Sequence, residues 1–242
     1  VILGVCFNSP YFDELWNQEM VWYVKPDYRN KTGSILYKEY ENYTIAVWKI
    51  EEDESFFLNK ADFINKENLD KYRHPIARIQ WLASRFLLFE VLGSESYSKL
   101  VKDNKGKPGF SDNHKNISIS HSGKMVAVAV SSNSIGIDIQ EFIPKLINLA
   151  CKFIPEESLN LINSSSESEK LIHMHWGVKE ALFKAYGLGQ LDYRKNLFLE
   201  HDIYNTKNTF KAYVLKNNEK INYEVSTEEI EEYLLCIVTK LY

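Results

Sequence analysis

The stretch from Leu171 to Gly187 constrains the fold more than any other part of the chain. Leu171, Met174, Val178, Ala181, Leu182 and Ala185 fall on one apolar stripe at helical spacing. That spacing specifies an α-helix which must bury the stripe against another element. Glu180 and Lys184, one turn apart, lie on the opposite face with His173 and Trp176 beside them. Two readings of that face are open from the helix alone. It is an exposed i,i+4 ion pair worth about 0.3–0.5 kcal/mol, or it is a site for an anion, because charge mixed with large aromatics suits neither plain core nor plain surface.

A second segment bears on the choice. Met125 to Val130 is an unbroken apolar run ending at Ser131-Ser132-Asn133-Ser134, a turn cluster. Ile135 to Gln140 then alternates, with Ile137 and Ile139 on one face of a strand and Asp138 and Gln140 on the other. A strand disfavours Asp between two isoleucines. Asp138 is either an edge residue satisfied by water or an amide, or a rigidly held carboxylate. With an amide oxygen two residues on, the latter is a hard-oxygen donor set of the kind Mg²⁺ takes, alongside water and substrate phosphate.

Composition narrows the class. The 242 residues suffice for one large domain or two of about 120. A hydrophobic content of 45%, with 15 Tyr and 13 Phe, supports a proper core and a sheet-containing fold. The net charge of −4 argues against a general nucleic-acid binder. Cys6, Cys151 and Cys236 are widely spaced and odd in number, which fits a reducing compartment. No run approaches about 20 apolar residues, and Val1–Cys6 lacks the basic flank of a signal peptide. A cytoplasmic protein without a membrane span is expected.

The chain also repeats itself faintly. Strand 44–50, helical segments near 52–58 and 60–69 and a long helix over 75–92 are followed by strand 135–140, helices near 145–153 and 155–162, and a long helix over 168–187. Trp81-Leu82-Ala83-Ser84-Arg85 occupies the place in the first helix that Trp176-Gly177-Val178-Lys179-Glu180 holds in the second. Gly93 and Gly187 are the expected C-terminal stops. Arg78 and Arg85 lie seven residues apart on the first long helix, with Arg73 and His74 just ahead. Ser164–Glu169 reads as a polar linker with Ser166 or Ser168 as helix cap. Ser226–Glu232 reads as a solvated loop before a final strand, 233–238.

Four of these blocks carry a resemblance. Gly106-Lys107-Pro108, Ile119-Ser120-His121-Ser122, Gly136-Ile137-Asp138-Ile139 and Trp176-x-x-Lys179-Glu180-Ala181-x-x-Lys184 stand in the order and approximate spacing of the 4′-phosphopantetheinyl transferases. The chain resembles their longer, Sfp-like branch, and the matched blocks cover roughly residues 105–190. The resemblance implies an α/β (α+β) fold of two similar halves related by a pseudo-twofold, here taken as 1–115 and 116–242, with a cleft between them. It implies transfer of the phosphopantetheine arm of coenzyme A to a serine of an acyl or peptidyl carrier protein, releasing 3′,5′-ADP.

By the same resemblance Asp138, Gln140 and Glu180 would hold Mg²⁺, Gln140 standing where the family usually has Glu. Glu180 would also be the base, and Lys179 and Lys184 would neutralise phosphate charge. Arg78, Arg85, Lys107, Ser120 and His121 would contact coenzyme A. A monomer is expected, because the second half supplies what a partner subunit otherwise would. Two alternatives stay open: a catalytically weakened relative that only binds coenzyme A or a carrier protein, and a Mg²⁺-dependent phosphotransferase acting on another pyrophosphate.

Overall fold

The computed structural model describes residues 34–60, 66–103, 107–112, 114–200 and 209–241. The expectations for Val1–Cys6, for part of the helical segment near 60–69 and for Gly106 lie outside the described residues.

Two antiparallel sheets carry the fold. The first contains β1 (Ser34–Glu39), β2 (Tyr43–Lys49), β5 (Asn116–Ser122) and β6 (Met125–Ser131), in the order β1-β2-β6-β5. The second contains β7 (Ile135–Glu141), β8 (Leu197–Leu199), β9 (Thr209–Lys216), β10 (Glu219–Ile230) and β11 (Tyr233–Lys240), in the order β7-β11-β10-β9-β8. A small hairpin, β3 (Leu100–Lys102) with β4 (Pro108–Phe110), stands apart. Among the described residues five α-helices complete the fold: α1 (Glu54–Lys60), α2 (Pro75–Ser98), α3 (Pro144–Ile147), α4 (Glu156–Asn163) and α5 (Ser168–Tyr186).

Strand alternation sorts the side chains into layers. Ala46 and Trp48 of β2 and Val126, Val128 and Val130 of β6 pack with α2. Ile45, Val47, Met125, Ala127 and Ala129 turn the other way and meet Ile135, Ile137 and Ile139 of β7 and Leu235 and Ile237 of β11. Leu234, Cys236 and Val238 of β11 face Leu171, Val178 and Leu182 of α5. The order is therefore helix, sheet, sheet, helix. β6 is buried at every position because both its faces are covered, which is why its sequence is unbroken rather than alternating.

The two halves share a topology. In each, the strand before the helices (β2, β7) pairs with the last strand (β6, β11), which pairs with the one before it (β5, β10). The boundary expected at 115/116 is corrected. β5 and β6 belong to the first sheet because β6 pairs with β2, so sheet membership changes between Ser131 and Ile135.

Local expectations fare unevenly. Gly187 ends α5 with φ +73°, a conformation free of Cβ strain only for glycine. Gly93 interrupts α2 at φ +75°, but the chain resumes as helix through Ser98. α5 begins after Glu167 with no side-chain cap, so neither Ser166 nor Ser168 caps it. The helix expected near 145–153 divides into α3 and a 3₁₀ turn at Ala150–Lys152. Ser226–Glu232 is mostly strand, since β10 runs to Ile230 with Thr227 and Ile230 inward. Its glutamates point outward to cations: Glu228 pairs with Lys38, Glu229 with Lys170 and Glu231 with Lys49.

His175 of α5 is 4% exposed, and neither ring nitrogen has a hydrogen-bond partner among the described residues. Burial, with the nearby Lys179 ammonium, lowers its pKa from 6.5 to about 3. In the unfolded chain the ring takes a proton as pH falls below about 6.5. The unfolded state thus binds more protons between these values, and stability falls as pH drops through that window. Thermal melts from about pH 7 to about pH 5 should show a shallower loss for His175→Leu than for the native chain.

Candidate functional site

The face of β7 opposite its isoleucines carries Gly136, Asp138 and Gln140, and α5 lies directly on it. A Cβ at Gly136 would fall on the Ala181 carbonyl, and one at Gly177 would meet Cys236 Sγ at 2.7 Å and Gln140 Nε2 at 3.0 Å. These two glycines let helix and strand approach at backbone distance. The approach brings Lys184 to the strand, where Nζ donates to Asp138 Oδ1 (2.8 Å), the Ile137 carbonyl (2.9 Å) and Ser120 Oγ (2.9 Å). The Ser120 hydroxyl in turn donates to Asp138 Oδ1 (2.8 Å).

Three serines at every second position of β5 join the two sheets. Ser118 Oγ accepts the Ile137 N–H (3.0 Å), Ser122 Oγ accepts the Glu141 N–H (3.1 Å), and Ser120 stands between them on Asp138. β5 and β7 belong to different sheets, so these side chains do what ladder bonds do within a sheet.

Glu180 shares a cavity of about 470 Å³ with Ser120, His121, Asp138, Gln140, Trp176 and Lys184. Its Oε1 accepts from the Tyr193 hydroxyl (2.9 Å). Burial raises the Glu180 pKa and the Asp138 charge raises it further, while the Tyr193 bond and the Lys184 ammonium oppose the rise. A second cavity of about 390 Å³ shares Ile119, His121 and Lys184 with the first. It is lined by Tyr72, Trp81, Arg85, Lys107 and Phe183 among others, drawn from both halves of the chain. Arg85 stands over the Trp81 ring at 5.5 Å, and its Nη1 is buried without a hydrogen-bond partner among the described residues. A buried guanidinium donor left unsatisfied is costly, and an anionic ligand would satisfy it.

A divalent cation fits the first cavity on chemical grounds. The Asp138 charge raises the proton affinity of Glu180 across it, a repulsion that a cation between them would relieve. One oxygen of each is engaged by its protein partners, which leaves Oδ2 and Oε2 as the oxygens to offer. Gln140 donates its amide nitrogen to the His173 carbonyl at 2.5 Å, so Oε1 is the atom it can present. A carboxylate at 140 would set oxygen against that carbonyl. Among the described residues no group of three or more His, Cys, Asp or Glu side chains is placed to hold a metal. A hard ion here would therefore rest on two carboxylates, an amide and non-protein oxygens, a set suited to Mg²⁺.

Several expected residues are elsewhere. Lys179 is 1% exposed, with Nζ donating to the Phe153 and Tyr193 carbonyls (2.6 Å each). Burial lowers its pKa to about 7, and it lines neither cavity. It ties α5 to its surroundings and faces neither cavity, because position 179, next to the apolar stripe, points inward. Arg78 also lines neither cavity. Its guanidinium grips Glu54 (2.9 and 2.6 Å) and the Leu69 carbonyl (3.2 Å), bracing α2 on α1. Arg73 and His74 are exposed. His173 is buried, its Nε2 accepting the Ile143 N–H, which leaves Nδ1–H to donate to the Glu169 carbonyl. Lys107 lines the second cavity and reaches the Lys184 carbonyl (3.2 Å).

Tyr193 escaped the sequence reading. It lies in the turn after α5, where no period marks it. The serines 118, 120 and 122 were legible in principle, since their spacing is that of one strand face.

Residues 134–238 match the family model of the 4′-phosphopantetheinyl transferase superfamily. The chain is 27% identical over 176 residues to the 4′-phosphopantetheinyl transferase gsp of Aneurinibacillus migulanus, covering 72% of this chain and 70% of that protein. It is 28% identical to a putative 4′-phosphopantetheinyl transferase of Haemophilus influenzae, over 48% of this chain and 53% of the other. To the 4′-phosphopantetheinyl transferase Sfp of Bacillus subtilis it is 29% identical, over 57% and 65%. The alignments thus span between about half and 70% of these relatives.

Proposed function

We propose, from the match of residues 134–238 to the 4′-phosphopantetheinyl transferase superfamily model and the similarity to transferases of that name, that this chain transfers the phosphopantetheine arm of coenzyme A to a serine of an apo acyl or peptidyl carrier protein. The observation that carries the reading is a pair of cavities that share Ile119, His121 and Lys184 in their walls. One holds Asp138 and Glu180 with Lys184, and the other holds Arg85, Lys107 and three aromatic rings.

The chemistry follows from that arrangement. The serine oxygen attacks the β-phosphorus, its new P–O bond forms as the bond to the bridging oxygen breaks, and 3′,5′-ADP leaves. Glu180, whose proton affinity is raised by burial and by Asp138, takes the serine proton. Lys184 holds Asp138 and Ser120 in place and keeps a positive charge beside the pyrophosphate. Arg85, with its unpartnered Nη1, takes an oxygen of the nucleotide's phosphate, and the rings of Tyr72 and Trp81 offer a face to its base. Asp138, Glu180 and the Gln140 oxygen would hold Mg²⁺, which would neutralise pyrophosphate charge. Most of the rate enhancement is then positioning and electrostatics.

Both cavities are built from one chain, which supports action as a monomer. Among the described residues no helix is long and apolar enough to cross a membrane. Incubation with coenzyme A, Mg²⁺ and an apo carrier tests the function. A carrier mass increased by one phosphopantetheine, with 3′,5′-ADP released, is the expected outcome. Tight coenzyme A binding without transfer would favour the weakened relative, a reading that Gln140 in place of the family's Glu keeps in play.

The two arginines of α2 should separate in the same assay. Arg85→Ala removes charge-assisted bonds worth about 1.5–3 kcal/mol and should raise the KM for coenzyme A about 10–100-fold. Arg78→Ala should leave that KM unchanged. It should cost little stability, since its pair with Glu54 is partly exposed.

A further inference from the structure

Lys179 stands in the motif around Glu180, yet its ammonium turns away from both cavities. Its two acceptors explain why it is there. One is the carbonyl of Phe153, which precedes α4, and the other is the carbonyl of Tyr193, in the turn after α5. The Tyr193 ring stacks on Trp176 (5.7 Å, 26°) and on Phe183 (5.8 Å, 28°), so it lies along α5 across the position of Glu180. Its hydroxyl donates to Glu180 Oε1 at 2.9 Å. Tyr193 is thus fixed at its backbone by a buried ammonium, at its ring by two aromatic faces and at its tip by the carboxylate. The turn itself is pinned, with Asp192 Oδ1 accepting the Arg194 and Lys195 N–H groups and Lys216 Nζ reaching the Gln190 carbonyl.

We propose that Tyr193 is a positioning residue for Glu180. It commits Oε1 to a fixed donor and so aims Oε2 into the cavity beside Asp138, with Lys179 holding the tyrosine in register. The proposal rests on the reading of Glu180 as the working carboxylate of phosphopantetheine transfer. A glutamate has three rotatable bonds. Unheld, it would spread over several rotamers and lose the geometry that proton transfer and cation binding both require.

Tyr193→Phe is the test, because it removes one hydroxyl and leaves the stacked ring. In steady-state transfer to an apo carrier, kcat should fall about 10–100-fold, the usual effect of losing a residue that orients a ligand or base. The KM for coenzyme A should stay within about twofold, since Tyr193 does not line the nucleotide cavity. Melting temperature should stay within a few degrees. A kcat within about twofold of the native chain overturns the proposal. So does a fall in kcat accompanied by a collapsed melting temperature, which would mark a structural role only. Titration of the protein with Mn²⁺ alone, followed by its electron spin resonance, gives a readout independent of turnover. The Tyr193→Phe affinity should be several-fold weaker, and equal or undetectable binding in both proteins overturns the proposal. If the native chain modifies no carrier, the transfer reading fails by itself, and the Mn²⁺ comparison still decides whether Tyr193 positions Glu180.

Discussion

Glu180→Gln is expected to lower the turnover of phosphopantetheine transfer by about 10²–10⁴-fold, the range a positioned general base supplies. The substitution keeps the volume and the oxygen that accepts from Tyr193, so the turn after α5 and the helix should hold. What it removes is basicity and one of the carboxylate charges lining the cavity. Coenzyme A should bind nearly as before, because the site proposed for its nucleotide, Arg85 and the aromatic rings, lines the neighbouring cavity. The measurement is a kcat and KM pair for coenzyme A, with a separate equilibrium titration of the nucleotide. Near-normal turnover would remove Glu180 from the mechanism.

Asp138→Ala should act on stability as well as on turnover. Asp138 is 6% exposed and accepts the Lys184 ammonium and the Ser120 hydroxyl on the same oxygen. Truncating it leaves a cation partly buried against the Ile137 carbonyl without its counter-charge. Breaking a fully buried pair costs about 3–5 kcal/mol. Here the Lys184 side chain keeps 25% of its surface, so about 2–3 kcal/mol is the expected loss. Denaturant unfolding should show a lower midpoint with the slope unchanged. Adding Lys184→Met should recover part of that loss of stability, since no orphaned charge remains, without restoring turnover. A double variant less stable than Asp138→Ala alone would show that the pair is not the unit described.

These two residues also mark how far the sequence could be read. The alternation in 135–140 placed Asp138 and Gln140 on one face of a strand, and the structure has them there, facing α5. The stripe on 171–185 likewise identified the buried side of α5. Period is a local property of the chain, so it survives folding unchanged. The places where reading failed are those where a residue's partner is distant. Arg78 and Arg85 look alike in sequence, yet one is spent on Glu54 and the other is aimed into a cavity. Lys179 and Lys184 flank Glu180, and only Lys184 faces the strand. Ser226–Glu232 looked like a loop because its glutamates are solvated, but strand pairing with β11 and outward ion pairs with Lys38 and Lys49 make it sheet.

By itself the sequence determined the secondary elements with strong period, the glycine that stops α5 and the resemblance from which the proposed chemistry is inferred. Tertiary structure alone decided which sheet β5 and β6 join, how closely α5 can lie on β7 through Gly136 and Gly177, and which charged groups reach the cavities. The reason is range. Hydrophobic period and backbone conformation are fixed by neighbours a few residues away, whereas the burial of a charge and the direction of its hydrogen bonds depend on elements that meet only when the chain has closed.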